Sequence, residues 1–268
     1  MEAVDAAIFE AVREEHPVTL RGVFYRVVSV GAVAKSEAGY RLAGRQLLKL
    51  RRAGVVPYSW ITDGTRLIRK PPSWSDVDTM LDDAAASYRR ALWHDQDVQV
   101  LLLSEKDAIS GVVYPITAQW DVELGIVRGY SSETFTYSVA GTIAATEKTT
   151  FVYQLGDHDP SGVDAWRSFE ERVRGFALGG DAVFERLAVT PEQIVSFQLP
   201  TRPTKSTDTR SRGFEGESVE VDAIPATVLR QIVGDAIVQH IDPRAYRLTV
   251  QVEQSERNLL TAIAGGAR

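Results

Sequence analysis

The chain has 268 residues, 44% of them hydrophobic, with a formal net charge of −6 and no cysteine. That allows one large or two small domains with a sizeable core, and excludes disulfides, thiolate metal centres and cysteine nucleophiles. No run approaches a membrane span, and the acidic N-terminus lacks the basic region of a signal peptide, so a cytoplasmic protein without a membrane partner is expected. The charge is uneven. Residues 1–70 hold 12 basic and 7 acidic side chains, a net of +5, which leaves −11 on the rest. Screening confines attraction to roughly 8–10 Å near physiological salt, so this local excess matters more to a nucleic-acid partner than the total does.

Apolar residues at helical spacing (Val4, Ala7, Ile8, Ala11, Val12) predict a helix over Ala3–Glu14, broken at His16-Pro17. Thr19 is placed to cap a second helix, Leu20–Val30, and a third is expected over Ala38–Arg52. Val55–Ile61 and Thr65–Ile68 read as short strands around Asp63-Gly64, a hairpin signal. Three helices and a hairpin form a winged-helix pattern, in which the third helix enters the major groove. A DNA-binding domain is therefore expected over residues 1–72, with Arg41, Arg45, Lys49, Arg52 and Arg66 on double-stranded DNA. The plain alternative is a solvated Arg-rich surface.

Pro71-Pro72-Ser73 reads as a linker to a second domain, 73–268. A helix is expected over Asp76–Trp93, with Arg89-Arg90 in its last part. Strand Val98–Leu103, helix Ser110–Trp120, strand Leu124–Gly129, helix Glu133–Ala145, strand Thr149–Leu155, helix Val163–Arg174 and strand Ile194–Gln198 follow. This alternation predicts an α/β fold with a mostly parallel sheet. Pro200–Glu217 is a polar loop whose Lys205, Arg210 and Arg212 read as solvated. Val219–Asp222 reads as a short strand, and helices are expected over Pro225–His240 and Ala245–Ile263.

Two strand ends carry acids. Glu105 follows Val98–Leu103, and Asp157 and Asp159 follow Thr149–Leu155 just before a helix. Ligands of open α/β sheets bind at such ends. Oxygen-only donors favour a hard cation, Mg2+ before Mn2+. Three carboxylates on one site need a cation, because like charges raise one another's pKa. An Asp-rich turn is the alternative for Asp157-His158-Asp159-Pro160 taken alone. Arg21 and Tyr25, four apart, share a face of the second helix, and from spacing alone Phe24-Tyr25 is core.

Glu105 with the D-x-D pair Asp157/Asp159 resembles the Toprim domain of topoisomerases, primases and related nucleases. Asp157-His-Asp-Pro-Ser-Gly162 and Arg21-Gly-Val-Phe24-Tyr25 are most similar to the topoisomerase VI A subunit and the meiotic break-making transesterase. Trp60–Arg66 resembles that family's wing, and Val219–Pro225 its Glu-rich strand. Phe24 stands where the family often has a first Tyr, and the chain is shorter than a full A subunit. The resemblance implies a winged-helix domain followed by a Toprim-like α/β domain, in a short stand-alone member.

It implies Mg2+-dependent DNA cleavage. Tyr25 would form a 5′-phosphotyrosyl link and Arg21 would stabilise the phosphate. Glu105, Asp157 and Asp159 would hold the metal, with Glu105 either ligand or acid/base. A homodimer is implied. No G-x-x-x-x-G-K-[ST] loop occurs, so ATP use would need a separate ATPase subunit. Two alternatives stand beside this: a hydrolytic Toprim nuclease of the plasmid-defence type with Tyr25 structural, and a DNA-binding or partner module without turnover.

Overall fold

A computed structural model describes residues 2–62, 71–177, 179–203, 214 and 217–266. Three helices open the chain: α1 (Glu2–Glu15), α2 (Leu20–Ser29) and α3 (Glu37–Arg52). The Thr19 hydroxyl caps α2 as expected, accepting from the Gly22 N–H at 2.8 Å. Ser36 caps α3 by accepting from Gly39 at 3.1 Å. Ile8, Val12, Val23, Val27 and Leu47 are buried where the three helices meet.

The body follows as α4 (Val77–Ser87), β1 (Val98–Ser104), α5 (Asp107–Gln119), β2 (Glu123–Ile126), α6 (Glu133–Ala144), β3 (Thr149–Leu155), α7 (Pro160–Phe176) and β4 (Ala182–Ala188). It closes with α8 (Pro191–Ser196), α9 (Ala226–Val238) and α10 (Pro243–Gly266). The four strands form one sheet in the order β2-β1-β3-β4, with every pairing parallel. The fold is α/β, as the alternating pattern requires. No helix among the described residues is long and apolar enough to cross a membrane.

Each face of the sheet has its own core. Val100, Leu102, Tyr153 and Leu155 pack with α5 (Ile109, Val112, Val113) and α9 (Leu229, Val233), and this core runs on into the three N-terminal helices. Leu101, Leu103 and Val152 pack with α6 (Ile143) and α7 (Phe169, Val173). The period-2 strand pattern thus buries both faces, as a parallel sheet between helices must. The connection from β1 to β2 runs over one face, while those to β3 and β4 cross the other. The reversal sits between β1 and β3, where the register pairs Ser104 with Leu155. Their carboxyl ends therefore open one crevice.

Several elements depart from the sequence reading. Val55–Ile61 is not a strand. Tyr58–Trp60 is a 3-10 turn, and only Ile61 pairs, in an isolated bridge with Val18. Pro57 has no N–H to give a ladder. Thr65–Ile68 and Asp63-Gly64 lie outside the described residues. The helix over Asp76–Trp93 stops at Ser87 because Tyr88 turns extended. Arg89 there donates to the Ala118 and Gln119 carbonyls at the end of α5, and the Arg90 N–H to Glu253. Ile194–Gln198 lies instead in and after helix α8, set by a capping box of Thr190 and Gln193. The fourth strand is β4, which the reading left unassigned. Val219–Asp222 makes a bridge to His158 and then a 3-10 turn, Val221–Ala223.

Leu103 is fully buried and packs on Gly125, where a Cβ would come within 2.7 Å of its Cδ2. Leu103→Ala should cost about 2–5 kcal/mol. Urea unfolding checks this: the midpoint falls with the slope unchanged.

Candidate active site at the strand ends

The register that ends β1 and β3 together delivers Glu105 and Gly156 side by side. The Glu105 N–H donates to the Leu155 carbonyl at 2.8 Å, and Glu105 Oε2 accepts the Asp157 N–H at 3.0 Å. Two glycines permit this closeness. A Cβ on Gly156 would lie 2.7 Å from Glu105 Oε2 and 2.9 Å from Gln154 Nε2. One on Gly162 would lie 2.6 Å from the Asp157 carbonyl oxygen and 3.4 Å from both Asp159 Oδ1 and Glu105 Oε2. Asp159 is the N-cap of α7, its Oδ1 accepting from Gly162 N–H and the Ser161 hydroxyl, both at 2.8 Å. Pro160 at the first helical position fits a start whose N–H would have no partner.

The Asp157 carboxylate turns toward the segment after Ser218. Its Oδ1 accepts the Val221 N–H at 2.9 Å and the Lys106 ammonium at 2.8 Å. Lys106 also reaches Asp222 at 3.0 Å and Glu220 at 3.6 Å. Arg21 of α2 grips Glu220 through both oxygens, at 2.6 and 2.8 Å, and the Thr19 hydroxyl donates to Asp222 at 2.8 Å. Arg202 lies 3.4 Å from Glu220 and 3.6 Å from Asp159. Arg186 of β4 donates to the Asp157 carbonyl. Between α2, α3 and the strand ends lies a cleft of about 620 Å3, lined by Thr19, Arg21, Arg51, Lys106, Asp157 and Asp222 among others.

The protonation states follow from these neighbours. Burial, and then the Asp157 charge, push Glu105 above the usual carboxylate range. Burial also raises Asp157, with Lys106 opposing it. Burial would lower Lys106, but Asp222, Asp157 and Glu220 outweigh it and keep the amine a cation. Burial and then Glu220 push the Tyr25 phenol up, while Arg21 opposes.

The structure thus brings Glu105, Asp157, Asp159 and Arg21 to one crevice within a single chain. Tyr25 is close enough to feel Glu220, Arg21, Lys106 and Arg202, yet it is 5% exposed and packs on Phe24. Arg41, Arg45, Lys49 and Arg52 form one exposed face of α3, away from the crevice. Arg41 pairs with Glu37, and Lys49 with Asp5. Arg66 lies outside the described residues, as do Lys205, Arg210 and Arg212. The His158 ring packs on Phe214.

Among the described residues no three His, Asp or Glu side chains converge as a metal-ligating group. The three acids nevertheless suit a hard cation: they offer only oxygen donors, and Glu105 bears no ion pair with a described residue. Beside it, Gln154 Oε1 is buried without a hydrogen-bond partner. Asp157 fits such a set once Lys106 is displaced.

Sequence reasoning singled out neither Lys106 nor Arg186. Lys106 carried a signal, standing next to Glu105 at a strand end, whereas Arg186 lay in the unassigned strand. Glu220 and Asp222 were visible only as part of the Glu-rich motif.

A carboxyl with a raised folded pKa holds its proton more tightly when folded, so stability falls as pH rises from the unfolded value through the folded one. Glu105→Gln removes that cost. The variant should melt higher than wild type at pH 7, and the difference should shrink toward zero below about pH 4. Thermal melts across that range check it. No protein-family model matches the sequence, and no curated protein matches it either.

Proposed function

We propose that this chain is a divalent-cation-dependent DNA-cleaving protein, with a winged-helix unit in its N-terminal helices and a Toprim-like domain in its parallel sheet. The observation that carries this is the crevice where Glu105 and Asp159 flank Gly162 while Arg21 and Lys106 line the adjoining cleft. Carboxylates that need a cation, beside fixed cations that suit a phosphate, are the complementary halves of a phosphodiester site. The exposed basic face of α3 supplies a surface for double-stranded DNA.

Mg2+, or Mn2+ in its place, would be held by Glu105, Asp157 and Asp159 and would neutralise and orient the phosphoryl oxygens. Arg21, released from Glu220, stabilises the phosphate charge; its guanidinium stays protonated throughout. The Tyr25 hydroxyl attacks a backbone phosphorus. The phenol gives up its proton as the O–P bond forms, the bond to the 3′ oxygen breaks, and that oxygen takes up a proton to leave as a 3′ hydroxyl, with the phosphate held on a 5′-phosphotyrosyl end. A homodimer would place two such sites on one duplex, and ATP-driven gating would belong to a separate subunit.

The burial of Tyr25 and its raised pKa favour a second reading, in which water is the nucleophile and Tyr25 is packing. One gel separates the two. Supercoiled plasmid is incubated with the protein and Mg2+, stopped with SDS, and run with and without protease. Broken DNA that appears only after protease, and is absent with Tyr25→Phe, is the expected result. Breaks indifferent to protease and to Tyr25→Phe establish hydrolysis. In either case Asp157→Asn should cut the rate by more than about 100-fold, the scale of losing a charge-stabilising group. Full cleavage by Asp157→Asn would remove this crevice as the site.

A further inference from the structure

In the proposed reaction Asp157 turns to a metal, yet its carboxylate already has a cation. Lys106 follows Glu105 directly at the end of β1. Its Nζ lies 2.8 Å from Asp157, 3.0 Å from Asp222 and 3.6 Å from Glu220. An ammonium has three donors and no acceptor, and these three acids from two distant segments match it.

Each of the three acids keeps another donor when Lys106 leaves. Glu220 keeps Arg202 at 3.4 Å even when Arg21 turns to the phosphate, and Asp222 keeps the Thr19 hydroxyl at 2.8 Å. Asp157 and Asp222 would each lose their only side-chain cation within ion-pair distance among the described residues, with Asp157 keeping the Val221 N–H at 2.9 Å. The Lys106 side chain is 27% exposed on the cleft wall, on a flexible four-carbon stem, so withdrawal needs no repacking of the core.

We infer that Lys106 is a positioning residue that competes with the divalent cation for Asp157: while its ammonium holds that carboxylate toward Glu220 and Asp222, the acid set with Glu105 and Asp159 stays incomplete, and metal binding requires Lys106 to withdraw into the cleft. A DNA phosphate in the cleft is a receptor of the right charge for the released ammonium, which would couple metal binding to substrate binding. The inference rests on the metal reading of the proposed function.

Calorimetric titration of the full chain with Mn2+ tests it. Lys106→Met should bind Mn2+ more tightly than wild type by about 5- to 150-fold, the usual range for coupling between two sites. Lys106→Arg, which keeps the charge, should stay near wild type. Equal affinities for wild type and Lys106→Met would overturn the role of Lys106 and leave the metal site standing. Binding by none of the three would overturn both.

A second measurement needs no variant. Lys106 acetylation is followed by mass spectrometry on wild type with and without Mn2+. Displacement predicts faster labelling of Lys106 as Mn2+ saturates. Unchanged or slower labelling overturns the inference even if Lys106→Met fails to fold.

Discussion

The Lys106 ammonium, 2.8 Å from Asp157 and 3.0 Å from Asp222, joins the sheet to the segment on which α2 rests. Charges this far from water are costly unless each meets a partner. The rest of the crevice follows from that constraint. Arg21 reaches across to Glu220, Thr19 caps α2 and donates to Asp222 with one hydroxyl, and backbone N–H groups meet Glu105, Asp157 and Asp159. Each contact gives an acid a donor and fixes the position of a chain segment. The N-terminal helices and the sheet therefore share a polar seam as well as an apolar core.

The site's place in the fold is a consequence of topology. A four-stranded parallel sheet whose connections switch faces between its two central strands opens at their carboxyl ends. The apolar runs of β1 and β3 bury both faces, so the charged side chains first appear just past them, at Glu105 and at Asp157 after Gly156. Glycine at 156 and 162 lets the backbone approach a carboxylate to a distance that no Cβ allows. The Gly-Asp-His-Asp-Pro-Ser-Gly stretch is in this sense a packing requirement as much as a chemical one.

The sequence read well where a single local rule acts. The β1 and β3 runs, the Thr19 cap and the D-x-D turn each appear as a short pattern with one structural outcome. It read poorly where tertiary contacts decide. Arg89 and Arg90 leave helix geometry because the carbonyls at the end of α5 and the Glu253 carboxylate receive them. β4 was missed because Glu185 and Arg186 interrupt its apolar pattern, and Arg186 belongs there only because the Asp157 and Val189 carbonyls accept its donors. Lys106 stood next to a recognised acid, but its three partners lie as far as 116 residues away, and no local spacing reveals that.

This seam frames both nucleophile readings. Tyr25 sits near the charges but is 5% exposed and packed on Phe24, so transesterification would need its hydroxyl uncovered, whereas water would not. Either way the proposed chemistry would depend on one cation position between β1, β3 and the start of α7. Anomalous scattering from crystals grown with Mn2+ locates that position directly. The expected result is a peak bounded by Glu105, Asp157 and Asp159, with the Lys106 amine withdrawn from Asp157. Crystals in which Lys106 still holds Asp157 and no peak stands at the strand ends would contradict it.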